Sequence, residues 1–396
     1  MDRVICTHFE ELRESLSEVT LAGILTPRLS DAILSFGERL SSVIVTAAFQ
    51  RAGIDAVHLD ARTVILTNNR HTAAVPLSAE THALLHGAVS RHQITVMGGF
   101  IGSTRDGIAT TLGRGGSDFT AAIAGAAIAA DEIQIWTDVD GMLTCDPRLV
   151  PEAHCLRTIS YSEAEQMARF GAKVLHPATV LPAVRQRIPI VIRNSRNAAA
   201  PGTRVVDETL SHEGVVMSIA CKSDVTLLHI RARNTSVTPD FGHAIWEAFQ
   251  SAGVSFELIS PVVSSFSLVI DAAALTPEFH AHLTTLADLT VEPGSALVTL
   301  IGRNTSRNMT NILRATQRLA PLPGGAILTS CTDSRFGFVV AAASLHAAAQ
   351  ELHREFFSTP NPPIFVPERN TAAVSEQASL KPAAPVIGQA FLASMS

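Results

Sequence analysis

The chain has 396 residues, a formal net charge of −6, 46% hydrophobic and 17% charged residues, enough apolar content for two or three domain cores. That charge leaves no basic footprint for nucleic acid, and no apolar run approaches the length of a membrane span. The five cysteines form no CxxC pair and are odd in number. They fit a reducing cytoplasm rather than a disulfide framework, and MDRVICTHFEELRESL lacks the apolar core of a signal peptide.

In chain order, residues 8–52 read as helix, with apolar residues at helical spacing, a cap at Ser30 and Gly53 beyond the end. Glu38 lies on this helix, in SFGERLS. Taken alone it reads as part of a solvated face. Short β-like runs then alternate with helices. The runs are 56–60, 64–67, 94–100, 132–139 and 188–194; the helices fall near 78–91, 118–130, 162–170 and 177–186. Such alternation predicts an α/β domain with a largely parallel sheet, whose ligands gather at the carboxyl ends of strands. His82 and His86 are four apart with Glu80 nearby, but no third metal ligand is identifiable.

Residues 112–118 read LGRGGSD, directly before the small apolar run FTAAIAGAAIAA. One reading is a helix cap by Ser117 or Asp118. The other is an anion site, because a helix start offers unpaired N–H groups and glycine admits a ligand close to the backbone. A cap alone needs neither Arg114 nor two consecutive glycines. GGFIGS places Phe100 in a glycine-rich strand exit. WTDVDGMLTCDPR ends a strand with Thr137 and Asp138 and then presents Asp146 and Arg148 in a loop. FGAKVLHP contains Lys173, the first of only three lysines.

After AAAPGTRVVDE (198–208) the pattern changes. A strand pair, 215–221 and 225–232, leads to a helix at 240–252, strands at 254–260 and 264–271, and a helix at 276–287. Strand 295–302, helix 306–319, strands 324–331 and 336–342 and helix 344–356 repeat the alternation. The reading is two copies of a β-α-β-β-α-β unit. From Ser358 the chain is rich in Pro, Ala and Ser and is expected to be disordered.

From about residue 9 to about 357 the sequence resembles the aspartate kinase family of the amino-acid kinase superfamily. The stretches that carry the resemblance are SFGERLS, GGFIGS, TTLGRGGSD, WTDVDGMLTCDPR, YSEAEQMARFGAKVLHPAT and IPIVIRNS with its APGT ending, in family order. The resemblance implies an α/β fold, a three-layer αβα amino-acid kinase domain over 1–207. Paired ferredoxin-like ACT regulatory domains would follow over 213–357, with a 358–396 tail. It implies ATP-dependent phosphorylation of L-aspartate to 4-phospho-L-aspartate, the first step of lysine, threonine, methionine and diaminopimelate biosynthesis. Arg114 and Asp118 would be catalytic. Glu38, Phe100, Arg114, Gly115, Gly116 and Ser117 would bind the substrate. Thr137, Asp138, Asp146, Arg148 and Lys173 would bind ATP, with Mg2+ bridging its phosphates. Glu257 would meet an amino-acid effector, lysine or threonine, and the ACT domains would build a homodimer.

The family opens with a strand ending in Lys-Phe-Gly-Gly-Thr-Ser, whose lysine and glycines cradle phosphate. No lysine precedes Lys173 in this sequence and no Gly-Gly precedes Gly98. Three readings stay open: a misassigned start codon, a segment supplied by another polypeptide, or a catalytically inactive or split regulatory subunit that binds an effector through its ACT domains. The motif pair WTDVDG and FGAKVLHP argues against a kinase for glutamate, carbamate or UMP.

Overall fold

The computed structural model describes residues 2–89, 94–171, 180–207, 213–233, 239–262, 264–329, 331–358 and 391–393. The region read as one helix is two, α1 (Asp2–Ala22) and α2 (Pro27–Arg51). The cap of α2 is Thr26 rather than Ser30. The Leu29 N–H donates to the Thr26 hydroxyl at 3.3 Å, and Pro27, which lacks an N–H, occupies the first helical turn. Next come β1 (Ala56–Leu59), α3 (Ser78–Ala88), β2 (Ile94–Met97), β3 (Ile101–Ser103), β4 (Ala109–Thr111), α4 (Gly116–Ala127) and β5 (Ile133–Thr137). Then follow β6 (Thr158–Ser160), α5 (Tyr161–Arg169), α6 (Leu181–Arg185), β7 (Ile190–Asn194) and β8 (Thr203–Val206). The expected strand at 64–67 makes only isolated bridges, Leu66 to Ser103 and Thr67 to Pro76. A 3-10 turn over Ala61–Thr63, capped by Asp60, curls the chain just before it.

The second half comprises β9 (Ser218–Arg231), α7 (Pro239–Ala252), β10 (Phe256–Val262), β11 (Ser265–Asp271), α8 (Pro277–Leu286) and β12 (Asp288–Ile301). After these come α9 (Met309–Leu319), β13 (Ala326–Leu328), β14 (Arg335–Ala341) and α10 (Leu345–Phe357). Within the segment expected to be disordered, β15 (Phe391–Ala393) pairs parallel with β5.

Two compact units emerge. The first holds residues 1–141, 174–207 and 370–396; the second holds 142–173 and 208–369. In the first, β1 pairs parallel with β2, and β5 pairs parallel with β7, from Ile133 opposite Ile190 to Thr137 opposite Asn194. β3 and β4 form an antiparallel hairpin that sets Ile101 opposite Thr111. A core of Val64, Ile65, Leu85, Ile101 and Ile123 lies beneath it. By length and composition α2 is long and apolar enough to cross a bilayer, which corrects the sequence reading. Its buried residues, however, include Asp31, Ser35, Arg39, Ser42 and Thr46, so its inward stripe is polar. The Arg39 guanidinium stacks on Phe36 and pairs with Glu11 of α1 at 2.5 Å.

In the second unit one antiparallel sheet runs β10-β11-β9-β12-β14-β13. The two β-α-β-β-α-β copies are therefore interleaved rather than consecutive. Ser218–Lys222 of β9 pair with Leu297–Ile301, beside β14, whereas Val225–Arg231 pair with β11. The expected strand pair in this region is a single strand that pairs with β12 on both sides of Asp224, itself at φ +56, and takes β11 on its other edge from Val225 onward. Leu228, Ile230, Leu268 and Ile270 meet Phe249, Phe279 and Leu283 of α7 and α8. Each such buried side chain contributes about 1.5–3 kcal/mol relative to exposure.

Candidate active site

Three segments of the first unit converge. The first is α2 at Glu38. The second is the 98–100 exit from β2. The third is the turn from β4 into α4. A Cβ added at Gly98 would lie 3.0 Å from the Glu38 carbonyl, and one at Gly99 would lie 3.0 Å from the Ser117 Cα. A Cβ at Gly116 would lie 2.8 Å from the Phe100 ring. Only a bare backbone lets the three segments approach this closely. Phe100 holds φ +67, a left-handed conformation that is uncommon outside glycine. Its N–H donates to the Thr120 hydroxyl at 3.0 Å, and its carbonyl accepts from the Leu112 N–H at 2.9 Å.

The helix cap is Gly115, at φ +69 and without a side-chain cap bond. Ser117 and Asp118 thus lie in the first turn instead of capping it, which corrects the simpler reading of LGRGGSD. Asp118 is favourably placed against the positive end of the helix. Arg114 is exposed on the turn, while Ser117, Glu38 and Phe100 are half-buried. Burial raises the Glu38 carboxyl above its usual range, against the opposing pull of the Gly99 backbone N–H. The site thus presents an exposed cation, a desolvated carboxyl group and a helix start.

At the carboxyl end of β5, the Thr137 hydroxyl donates to Asp138 at 3.3 Å. The Thr137 carbonyl accepts from the Ser195 N–H at 2.8 Å, and Asn194 and Asn197 both donate to Asp140, at 2.7 and 3.2 Å. The ends of the two parallel strands are thereby tied together. Asp146 and Arg148 belong to the second unit and pair with each other at 2.6 Å. The Arg148 guanidinium holds the Asp146 carboxyl below its usual range. Cys145, beside them, hydrogen-bonds Cys221 of β9, and this contact together with burial raises the Cys221 thiol well above its ordinary value. Lys173 lies outside the described residues.

Glu257 of β10 is buried and accepts from Arg335 at 2.6 Å. The Arg335 guanidinium stacks on Phe170 at 4.5 Å. A cavity of about 460 Å³ borders this carboxylate, with Arg169, Phe170, Lys222 and Asp271 in its wall. In the first unit, Glu80 pairs with Arg105 and His86 faces the Ala127 carbonyl, which accounts for two members of the histidine-bearing helix. Sequence reasoning missed Thr120, Arg335 and Asp31. Asp31 alone left a signal, a polar residue two helical turns before Glu38 on the same helix.

A family model described as the amino acid kinase family matches residues 5–194. The chain is 33% identical to the lysine-sensitive aspartokinase 3 of Escherichia coli (strain K12), over 89% of this chain and 82% of that protein. It is 32% identical to the chloroplastic aspartokinase 1 of Arabidopsis thaliana, over 90% of this chain and 65% of that protein. In three dimensions it matches E. coli aspartokinase III in complex with aspartate and ADP (R-state), with a TM-score of 0.76 and 32% identity. That match covers 90% of this chain and 83% of the other.

Proposed function

The chain belongs to the aspartokinase family, and from that premise we propose that it transfers the γ-phosphoryl group of ATP to the side-chain carboxylate of L-aspartate. The observation that carries this reading is the convergence of Glu38, Phe100 and the Arg114–Asp118 turn. A carboxylate is ionised at neutral pH and is its own nucleophile. One of its oxygens forms the new O–P bond, the bond to the β-phosphate oxygen breaks, and the electron pair leaves with ADP. No proton has to be moved to activate the nucleophile, so the chain's task is to bring two anions together and offset their charge.

Arg114 clamps the α-carboxylate of aspartate through its planar fork. Ser117 and the Gly115 and Gly116 amides add donors, Glu38 holds the ammonium, and Phe100 lines the pocket. Asp118 orients the groups around the transferring phosphoryl. The nucleotide lies against Thr137 and Asp138, at the carboxyl end of a parallel strand where α/β folds take such ligands. The resemblance to the family also assigns Asp146, Arg148 and Lys173 to nucleotide binding. Mg2+ would enter with the nucleotide and offset the charge of its phosphates, its preference being for oxygen ligands.

The ACT sheet of the second unit binds an amino-acid effector, and two copies pair through it. Lysine sensitivity belongs to the E. coli relative; here a cationic effector at Glu257 must contend with Arg335. Calorimetric titration of L-aspartate tests the substrate assignment. Saturable binding that Arg114→Ala weakens at least about tenfold supports it, and equal affinity in the two proteins overturns it.

A further inference from the structure

We infer that Asp31 is a positioning residue for the substrate cradle, fixing Arg114 relative to Glu38. The inference rests on the cradle being the aspartate site.

Asp31 is completely buried on α2. Its carboxylate accepts from the Thr111 hydroxyl at 2.6 Å and from the Thr72 N–H at 3.0 Å to each oxygen. His71 Nδ1 lies 2.8 Å away on the second oxygen. These donors come from two separate segments, the turn at 70–74 and the end of β4. A buried carboxylate that gathers donors from both holds both in one register, since leaving any of its lone pairs unmet is costly.

Both segments bear on the LGRGG turn. Thr111 is the last residue of β4, and Arg114 follows within a few residues. Thr72 holds φ +70, a conformation that persists only where surrounding contacts impose it. Its carbonyl would lie 3.1 Å from a Cβ added at Gly113, and the Ala74 N–H donates to the Thr111 carbonyl at 2.9 Å. The 70–74 turn is thus a backstop for Gly113, and Asp31 clamps it. Glu38 stands two turns further along the same helix. One rigid helix therefore carries the group that meets the ammonium and the group that aims the turn bearing the carboxylate clamp.

The test is Asp31→Asn together with the pair Thr111→Val and Thr111→Ser, titrated separately with L-aspartate and with Mg-ATP. Asn keeps the shape but sets an amide where an N–H must be accepted. Val removes the Thr111 donor without changing its volume, and Ser restores the donor. The expected result is aspartate affinity lowered at least about tenfold in Asp31→Asn and Thr111→Val, Mg-ATP affinity within about twofold of wild type, and recovery in Thr111→Ser. Aspartate affinity unchanged in Thr111→Val, or aspartate and Mg-ATP affinities falling together, overturns the inference. If Asp31→Asn does not fold, the Thr111 pair decides. Wild-type protein that binds no aspartate overturns the site assignment itself, a result distinct from a wild type that binds and variants that bind alike.

Discussion

Arg335 donates to Glu257 at 2.6 Å, with both side chains buried and the guanidinium stacked on Phe170. The chain therefore supplies its own cation to the acidic residue that borders the cavity of the second unit. Removing one member of such a pair strands the other and costs about 3–5 kcal/mol. Arg335→Met should accordingly lower the Tm. A cationic effector would then replace the lost partner instead of competing with it. Lysine should raise the Tm of Arg335→Met more than that of wild type. Equal shifts, read by thermal denaturation, would remove Glu257 from the effector site.

Gly99 lies where a Cβ would come 3.0 Å from the Ser117 Cα, and no flexible side-chain tip is available to yield. Gly99→Ala must displace the start of α4 or the 98–100 exit. Displacements near 1 Å in a positioning element cost about 100-fold in rate. The expected outcome is a folded protein whose kcat/KM for aspartate falls by at least about tenfold. Near wild-type kinetics would show that the close approach is incidental.

Burial raises the Glu38 carboxyl, so the folded state holds this proton more tightly than the unfolded chain does. Its contribution to stability is complete below the ordinary glutamate range and is lost as pH rises through the raised value. Glu38→Gln escapes that loss. Its Tm should gain on wild type as pH increases above about 4.5. The ionised form is the one that holds an ammonium, so aspartate affinity should fall as pH drops through the same window. In Glu38→Gln affinity should be low at every pH.

His353 shows the opposite sign. Burial, followed by the neighbouring His154, lowers its pKa to about 4, and its Nε2 meets the Thr144 hydroxyl at 2.9 Å. The unfolded chain takes up a proton near 6.5, well before the folded one does. The stability associated with neutral His353 is present above pH 6.5 and is lost as pH falls toward 4. His353→Gln should flatten the Tm-against-pH curve over that interval. An unchanged slope would mean that other groups govern it.

The sequence carried the parts of the fold that depend on local pattern. Strand–helix alternation located β5, β7 and α4 within a few residues, and glycine placement marked the turn before α4. What stayed hidden depends on distant partners. The first half of β9 pairs with β12, far along the chain, so consecutive reading could not reveal the interleaved halves. Arg335 and Glu257 meet only because the sheet folds that way. The break between α1 and α2 was obscured by apolar spacing that continues across Thr26 and Pro27. Asp31 shares a helix face with Glu38, but its burial and its donors Thr72 and Thr111 come from segments far along the chain.

The most direct measurement is turnover of L-aspartate with Mg-ATP in the presence of hydroxylamine, which converts an acyl phosphate into a stable hydroxamate. The account predicts aspartyl hydroxamate formed in step with ADP, a negligible signal with glutamate in place of aspartate, and loss of product in Arg114→Ala. Hydroxamate formed equally well from glutamate, or an aspartate signal that Arg114→Ala leaves intact, would contradict it.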